Sequence, residues 1–396
     1  MLTHSYYEED PRVRREAEAL VARGRSVDVF ALQRPGELPE GELNGVRIRR
    51  LNVQRHQGAG LGTYLREYLS FLARSSWAVT RSHRRRRYAV VQVHTLPDFL
   101  VFAGLPLRIA GVPILLDLHE AMPEFFRTRF PRASNPVVHR LLLLQERASI
   151  GFASAVVTVN DALRDRLVGL GVRAAKVSVI LNSPALDLFD PAGQPQRRFA
   201  EDGVVRIVYA GALSPTYELD VALAAIARLG ELRPELAIHF DVYGRDFGEG
   251  SLAADAARLG IVELVTFHGR IPLEEVPAAI AAADIGLAPT RRNSFTDFSL
   301  STKIFEYGAM GKPVLASRLP MVERTFPPGT VGTYEPGDAD GLARGILALV
   351  DAPAAREAAV ESMAGRVREL AWEHDADRLA RLVDGLAARG NDPAAP

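Results

Sequence analysis

VVRIVYAGALSPTYELDVALAAIARL, residues 204–229, runs from a β-branched strand through a glycine turn into a helix pattern. Val204–Tyr209 is near-continuously apolar, as a strand buried on both faces must be, and Leu219–Leu229 repeats apolar residues at helical spacing. Downstream the alternation continues, with strands at Leu236–Tyr243, Val265–His268, Ile285–Ala288, Val314–Ala316 and Gly332–Tyr334. Helical patterns fall between them at Ser251–Leu259, Leu273–Ala282, Lys303–Met310 and Ala339–Val350, and a last one at Glu373–Ala388. Upstream, strands are expected at Val27–Leu32, Val46–Leu51, Val90–His94, Ile114–Leu118, Ala155–Val159 and Val177–Leu181. Helices are expected at Arg12–Arg23, Gly62–Ala73, Asp98–Ala110, Pro136–Gly151 and Asp161–Leu170. Asp187–Gly203, with its Pro, Gly and paired charges and no periodicity, reads as a linker. The pattern predicts two doubly wound α/β domains, residues 1–186 and 204–370, facing each other across a cleft, with a helix and tail over 371–396. Open parallel sheets bind ligands at the C-terminal ends of their strands, so that cleft is the expected site.

Composition narrows the class. The 396 residues carry 48 Lys+Arg, 48 Asp+Glu and no Cys, which removes disulfides, thiolate metal sites and cysteine nucleophiles. The zero net charge conceals a split: residues 1–185 hold 27 Lys+Arg against 17 Asp+Glu, or +10, and the remainder sums to −10. Neither a secretory signal nor an apolar run long enough to span a bilayer is visible, so a cytoplasmic protein is expected.

The richest segment is Ala288–Ser317, APTRRNSFTDFSLSTKIFEYGAMGKPVLAS. Ser301 or Thr302 can cap the helix that follows, whose first amides form an anion site, and Lys303 adds a cation. Glu306 lies one turn further along nearly the same face. A cation beside a helix N-terminus and a nearby carboxylate suit the diphosphate and ribose of a nucleotide; the same residues also suit a capped helix with a surface Lys–Glu pair. Tyr209–Ser214 offers a second phosphate turn through Gly211 and Leu213, and Gly244–Arg245 and Gly269–Arg270 repeat a strand-end glycine followed by arginine. In the first half, His119 and Glu120 fall just past the strand Ile114–Leu118, and His94 ends its neighbour, four residues before Asp98. No zinc-type spacing such as HExxH joins His94, His119 and Glu120, so no metal is expected. Asp10 reads as the N-cap of a helix with Pro11 at its first position, and Arg12 as pointing into the cleft.

In combination and order, DPRVRREAEAL, VHTLPDFL, LLDLHEAMPE, VNDAL, VILNSPALDLF, YAGAL and STKIFEYGAMGKPVLAS resemble a retaining family 4 glycosyltransferase. The resemblance spans nearly the whole chain. It implies a GT-B fold of two Rossmann-like domains, with the C-terminal helix crossing back to the N-terminal domain. It also implies a C-terminal domain for a nucleotide-sugar donor and an N-terminal domain for the acceptor. Glu306 matches the carboxylate that holds the ribose, Lys303 the basic residue near the diphosphate, and His119 the histidine near the transferred sugar. Two positions depart from the pattern. Phe298 stands where many members carry a glutamate eight residues before Glu306, with Asp297 as a neighbouring substitute. Ser214–Glu218 lacks the lysine many members place after the glycine turn, which throws more of the phosphate charge onto Lys303, Arg245, Arg270 and backbone amides.

The expected reaction moves a sugar from a nucleotide-sugar, a UDP-sugar first, to an acceptor hydroxyl with retention and without cofactor or metal. Catalytic weight falls on His119, Glu120 and Lys303; donor binding on Gly211, Leu213, Gly244, Arg245, Arg270, Ser301, Thr302, Lys303 and Glu306; the acceptor side on Asp10, Arg12, His94 and Asp98. The acceptor is a glycan, a lipid-linked or a small molecule, in glycan, glycolipid or glycosylated natural-product biosynthesis. A nucleotide-sugar 2-epimerase and a non-catalytic nucleotide-sugar-binding protein share the scaffold. An aromatic helix leads into Arg84–Arg87, which fits peripheral contact with an anionic membrane at its inner face, or a helix packed on its own sheet beside a solvated arginine loop. No nucleic-acid-binding module is recognisable.

Overall fold

The computed structural model describes residues 1–55, 60–183, 186, 188–245 and 251–390. The chain divides into two compact units. Unit 1 is Met1–Asn182 together with the residues from Glu373 onward, and unit 2 is Ser183–Trp372.

Unit 1 contains strands β1 (Asp28–Leu32), β2 (Glu40–Leu43), β3 (Val46–Leu51), β4 (Val91–His94), β5 (Ile114–Leu118), β6 (Ala155–Thr158) and β7 (Val177–Val179). Its helices are α1 (Pro11–Ala22), α2 (Leu61–Arg86), α3 (Leu105–Ile109), α4 (Met122–Arg129), α5 (Pro136–Phe152) and α6 (Asp161–Gly169). Strands run in the orders β1-β3-β2 and β4-β5-β6-β7, parallel except for β2. Leu2 joins the two groups, bridging Phe30 of β1 and Val93 of β4.

Several elements differ from expectation, the unforeseen edge strand β2 among them. Helix α2 continues to Arg86, because Phe71, Ser75, Val79 and Ser82 carry a buried stripe at helical spacing past the expected end. The arginine run is therefore the last turn of a helix, with Arg87 its left-handed C-cap, and not a loop. Asp98–Gly104 is a 3-10 helix before the short α3, whose second residue is Pro106. Helix α4 was not expected; Pro123 lies in its first turn.

Unit 2 is one parallel sheet of β8 (Val204–Ala210), β9 (Ala237–Tyr243), β10 (Val265–Gly269), β11 (Ile285–Ala288), β12 (Val314–Ser317) and β13 (Gly332–Tyr334). Their order is β10-β9-β8-β11-β12-β13, so the winding reverses between β8 and β11. That switch point is where a doubly wound sheet opens a ligand crevice. The helices are α7 (Leu219–Leu232), α8 (Ser251–Arg258), α9 (Val276–Ala281), α10 (Thr302–Ala309), α11 (Pro320–Thr325), α12 (Ala339–Asp351) and α13 (Pro353–Glu369).

Of the segment read as a linker, Asp187 lies outside the described residues. The following residues are held to unit 2: Phe189 is buried in its core, and Arg197 donates to Asp284 at 3.3 Å and to the Val204 carbonyl at 2.9 Å. Helix α14 (Trp372–Gly390) returns to unit 1. There Asp377 pairs with Arg23, Asp384 with Arg25, and Asp375 accepts from the Leu181 amide at 2.7 Å. Because this acidic helix belongs to the basic unit, the units carry 30 Lys+Arg against 22 Asp+Glu and 18 against 26, or +8 and −8.

Candidate functional site

In unit 2 the residues singled out after β8, β9, β10 and β11 gather at one end of the sheet. The turns after β8, β9 and β10 are tied in a row: the Gly211 amide donates to the Tyr243 carbonyl, and the Gly244 amide to the Gly269 carbonyl, both at 2.8 Å. The Leu213 amide donates to the Arg245 carbonyl at 3.3 Å, and its side chain is buried in the core. The amides of Gly211 and Leu213 are thus already used by the fold. A Cβ on Gly244 would lie 1.9 Å from the Gly211 carbonyl oxygen, so the second turn can nest against the first only with glycine at 244.

A Cβ on Gly211 would lie 2.1 Å from Lys303 Cε. The glycine therefore makes room for the lysine of α10, an approach the sequence reading had assigned to a phosphate. Lys303 is 6% exposed, and its Nζ stands 4.0 Å from the Tyr217 ring centre and 5.1 Å from that of Tyr209. These faces attract a cation without neutralising it. Among the described residues no carboxylate pairs with Lys303. Tyr307, buried against Gly286, accepts from the Ala210 amide at 3.1 Å, and Tyr209 donates to the Ala212 carbonyl at 2.6 Å, so two phenols fix the β8 turn.

Ser301 occupies the N-cap of α10 but makes no capping bond, and its buried hydroxyl has no partner among the described residues. Thr302 opens the helix, and Glu306 is partly exposed one turn later. The loop cations are engaged: Arg291 pairs with Asp220 at 2.9 Å and Arg292 with Asp297 at 3.1 Å. Asp297, the neighbour considered as a stand-in for the carboxylate missing at Phe298, is therefore committed to Arg292. Arg245 and Arg270 are exposed beyond their strand-end glycines.

Unit 1 builds a different arrangement. His94 ends β4 and pairs in register with Asp117 of β5. Asp117 and His119 are two residues apart and share a face. Asp117 Oδ2 lies 3.2 Å from His94 Nδ1 and 3.5 Å from His119 Nε2, and those two nitrogens are 3.2 Å apart. Behind them Arg12 grips Asp117 (Nη2–Oδ1 2.9 Å, Nε–Oδ2 3.3 Å) and donates to the Ile180 carbonyl. Glu16 lies 3.1 Å from Arg12 and accepts from Gln92 at 2.6 Å. Burial alone would raise the Asp117 carboxyl, but Arg12, then His119 and His94, hold it well below the usual carboxylate range. Burial and the neighbouring Asp117 push Glu16 up to about 8, so it carries the proton at neutral pH. Burial lowers His94.

Exposure decides which of these groups a substrate can touch. Arg12, His94 and Asp98 are 3%, 0% and 0% exposed, and Asp10 spends its carboxylate on the Val13 amide and the Ser5 hydroxyl. Arg12 does not point into an open crevice as expected, because the buried Asp117 carboxylate claims its guanidinium. Asp98 is enclosed, its carboxyl raised well above the ordinary range by burial and by Glu146. The accessible group is His119, at 19% side-chain exposure, with the partly exposed Glu120 beside it. Burial raises the Glu120 carboxyl to about 7 against the opposing pull of His119. His94, Asp117 and His119 offer ligand atoms within 4.8 Å of one another, a spacing a divalent ion could use. Asp117, Gln92 and Glu16 were not singled out in the sequence, although the Asp117–His119 and Gln92–His94 spacings carry the signal: alternate residues of one strand. Tyr217 carries no such spacing signal, because it meets Lys303 only in the folded chain.

Two doubly wound units, one with a buried ammonium that has no carboxylate partner among the described residues and the other with a carboxylate-held imidazole at a strand end, fit a glycosyltransferase of the GT-B type. Residues 10–183 match the glycosyl transferase 4-like domain and residues 204–352 match glycosyl transferases group 1, and the chain belongs to this family. A D-inositol 3-phosphate glycosyltransferase of Thermomonospora curvata is 25% identical over 96% of this chain and 90% of its own. A GDP-mannose-dependent alpha-(1-6)-phosphatidylinositol monomannoside mannosyltransferase of Mycolicibacterium smegmatis is 31% identical over 57% of this chain and 63% of its own. Among solved structures, sucrose-phosphate synthase from Thermosynechococcus elongatus superposes with TM-score 0.80 at 20% identity, over 98% of both chains. Anabaena Alr3699/HepE in complex with UDP-glucose gives 0.71 at 16% identity, over 97% of this chain and 98% of that one.

Proposed function

We propose that this glycosyltransferase takes a sugar from a nucleoside diphosphate sugar, a UDP-sugar first, and transfers it to an acceptor hydroxyl with retention. The observation that carries this reading is Lys303: a buried ammonium with no carboxylate partner among the described residues, beside the unpartnered hydroxyl of Ser301 at a helix N-terminus. A diphosphate supplies the charge that this place lacks. Glu306 takes the ribose hydroxyls, and Arg245 and Arg270 supplement the charge around the phosphates. As the anomeric carbon–oxygen bond to the diphosphate breaks, the acceptor oxygen bonds the same face. Its proton passes to the departing phosphate oxygen.

In unit 1, Asp117 accepts from His119 Nε2–H, which leaves Nδ1 as the substrate-facing acceptor of a sugar hydroxyl. Glu120 beside it holds or releases a proton near neutral pH. Transfer proceeds without a resident metal, because Arg12 already neutralises Asp117 and a divalent ion there would leave two uncompensated charges in a buried site.

The basic charge of unit 1 favours an anionic acceptor, as in the inositol phosphate and phosphatidylinositol mannoside named for the relatives. Among the described residues no helix is long and apolar enough to cross a membrane. A cytoplasmic enzyme touching the inner membrane face through Arg84–Arg87 suits a lipid-linked acceptor. A thermal-shift panel of UDP, GDP, dTDP and ADP, followed by transfer assays with and without acceptor, tests the reading. Stabilisation by UDP and acceptor-dependent release of UDP are expected. Sugar isomerisation in donor-only reactions, or nucleotide binding without transfer or hydrolysis, would contradict it.

A further inference from the structure

The hairpin of α4 and α5 sorts its charges by side. Its two acids, Glu124 and Glu146, turn onto Arg166, each at 2.8 Å. Its five arginines, at 127, 129, 132, 140 and 147, are all exposed. Between them Val137, Leu141 and Leu144 stand 65%, 58% and 62% exposed at the i, i+4, i+7 spacing of one helix face. Helix α2 repeats the arrangement. Its one acid, Glu67, is buried 3.1 Å from His4, while Leu61, Leu65 and Leu69 are exposed. The Tyr64 and Phe130 rings meet at 5.8 Å, which places the N-terminal half of α2 beside the end of α4.

We propose that the α4–α5 hairpin is a docking surface for an anionic lipid bilayer. Val137, Leu141 and Leu144 enter the headgroup–acyl boundary, and the flanking arginines meet lipid phosphates. This deepens the membrane reading above, on which it rests, by adding an apolar contact apart from Arg84–Arg87. The charge pattern selects the occupant. Two copies of this chain paired through the stripe by a two-fold would set outward arginines against outward arginines, with no outward acid on the hairpin to answer them. A phosphate-bearing surface with an apolar layer beneath answers both parts at once.

The test is vesicle co-sedimentation of the full chain, with phosphatidylcholine alone and with phosphatidylcholine mixed with phosphatidylglycerol. It compares the wild type, the double variant Leu141→Gln/Leu144→Gln, and a variant with Arg84–Arg87 changed to Ser. Binding to the anionic vesicles is expected, falling roughly tenfold in the Leu141/Leu144 variant, with an unchanged melting midpoint and an unchanged UDP shift. Raising salt should remove part of the wild-type binding and leave an apolar remainder that this variant lacks. Full binding by the double variant, with loss only when Arg84–Arg87 are changed, would overturn the hairpin and keep the membrane reading. Absence of wild-type binding to either vesicle would overturn both. A solution dimer that becomes monomeric in the double variant would assign the stripe to a second copy and overturn the proposal.

Discussion

Lys303 and His119 both stand beyond strand ends of a parallel sheet, yet the two units hold them in opposite ways. Around Lys303 the fold supplies two aromatic faces and no carboxylate among the described residues, which is the arrangement the proposed diphosphate would complete. Around His119 the fold supplies Asp117, with Arg12, Glu16, His94 and Gln92 behind it, so the buried charges answer one another and only the imidazole edge is open. A place that binds an anion keeps its charge unanswered. A place that orients a hydrogen bond answers everything except the group it presents.

Deleting the unanswered charge should have the largest effect. Lys303→Ala is expected to lose about 10²–10³ in kcat, the scale for one preorganised donor, as read by UDP release in a folded protein. Near-normal turnover would erase the contrast. Next, Asp117→Asn leaves Arg12 buried without its carboxylate and is expected to cost about 3 kcal/mol in urea unfolding of unit 1, with UDP affinity in unit 2 unchanged. Loss of UDP binding by a folded Asp117→Asn protein would show that the two regions do not act separately.

Tyr217→Leu removes the nearer ring over Lys303 and is expected to weaken donor binding by about 1 kcal/mol, measured as a several-fold rise in donor KM. Glu120 bears on pH dependence and not on turnover at one pH. Its folded carboxyl titrates near 7 and its unfolded one near 4.5, so the folded state holds the proton more tightly. The stability this confers is full below 4.5 and is lost as pH rises through 7. Glu120→Gln should therefore flatten the fall in urea midpoint between pH 5 and 8, and an unaltered slope would place the titration elsewhere.

Much of this contrast was legible in the sequence, though unevenly. The strands that form the sheet centres read correctly, because short β-branched runs such as Val204–Ala210, closed by a turn glycine, mark strands buried on both faces. The edge strand Glu40–Leu43 and the single bridging residue Leu2 did not, since alternating polar residues and one apolar side chain carry no period. Helix α2 read short because its buried face continues through Ser75 and Ser82, which a hydrophobic pattern skips. Lys303 and Glu306 were legible because one helical turn holds both. The aromatic faces over Lys303 were not, since Tyr217 lies far away in sequence. Asp117 was not legible because it sits inside the apolar strand β5, whereas His119, whose ring it holds, lies past the strand end. Arg12, His94 and Asp98 were expected to meet an acceptor; their enclosure became visible only when strand ends, α1 and the 3-10 helix after Pro97 were placed together.

The central claim, that unit 2 leaves the charge of Lys303 for a diphosphate, is tested most directly by calorimetric binding of UDP and uridine to the wild type and Lys303→Ala. The wild type is expected to prefer UDP over uridine strongly, and the variant to lose most of that preference while binding uridine as before. An undiminished preference for UDP in Lys303→Ala would contradict the account.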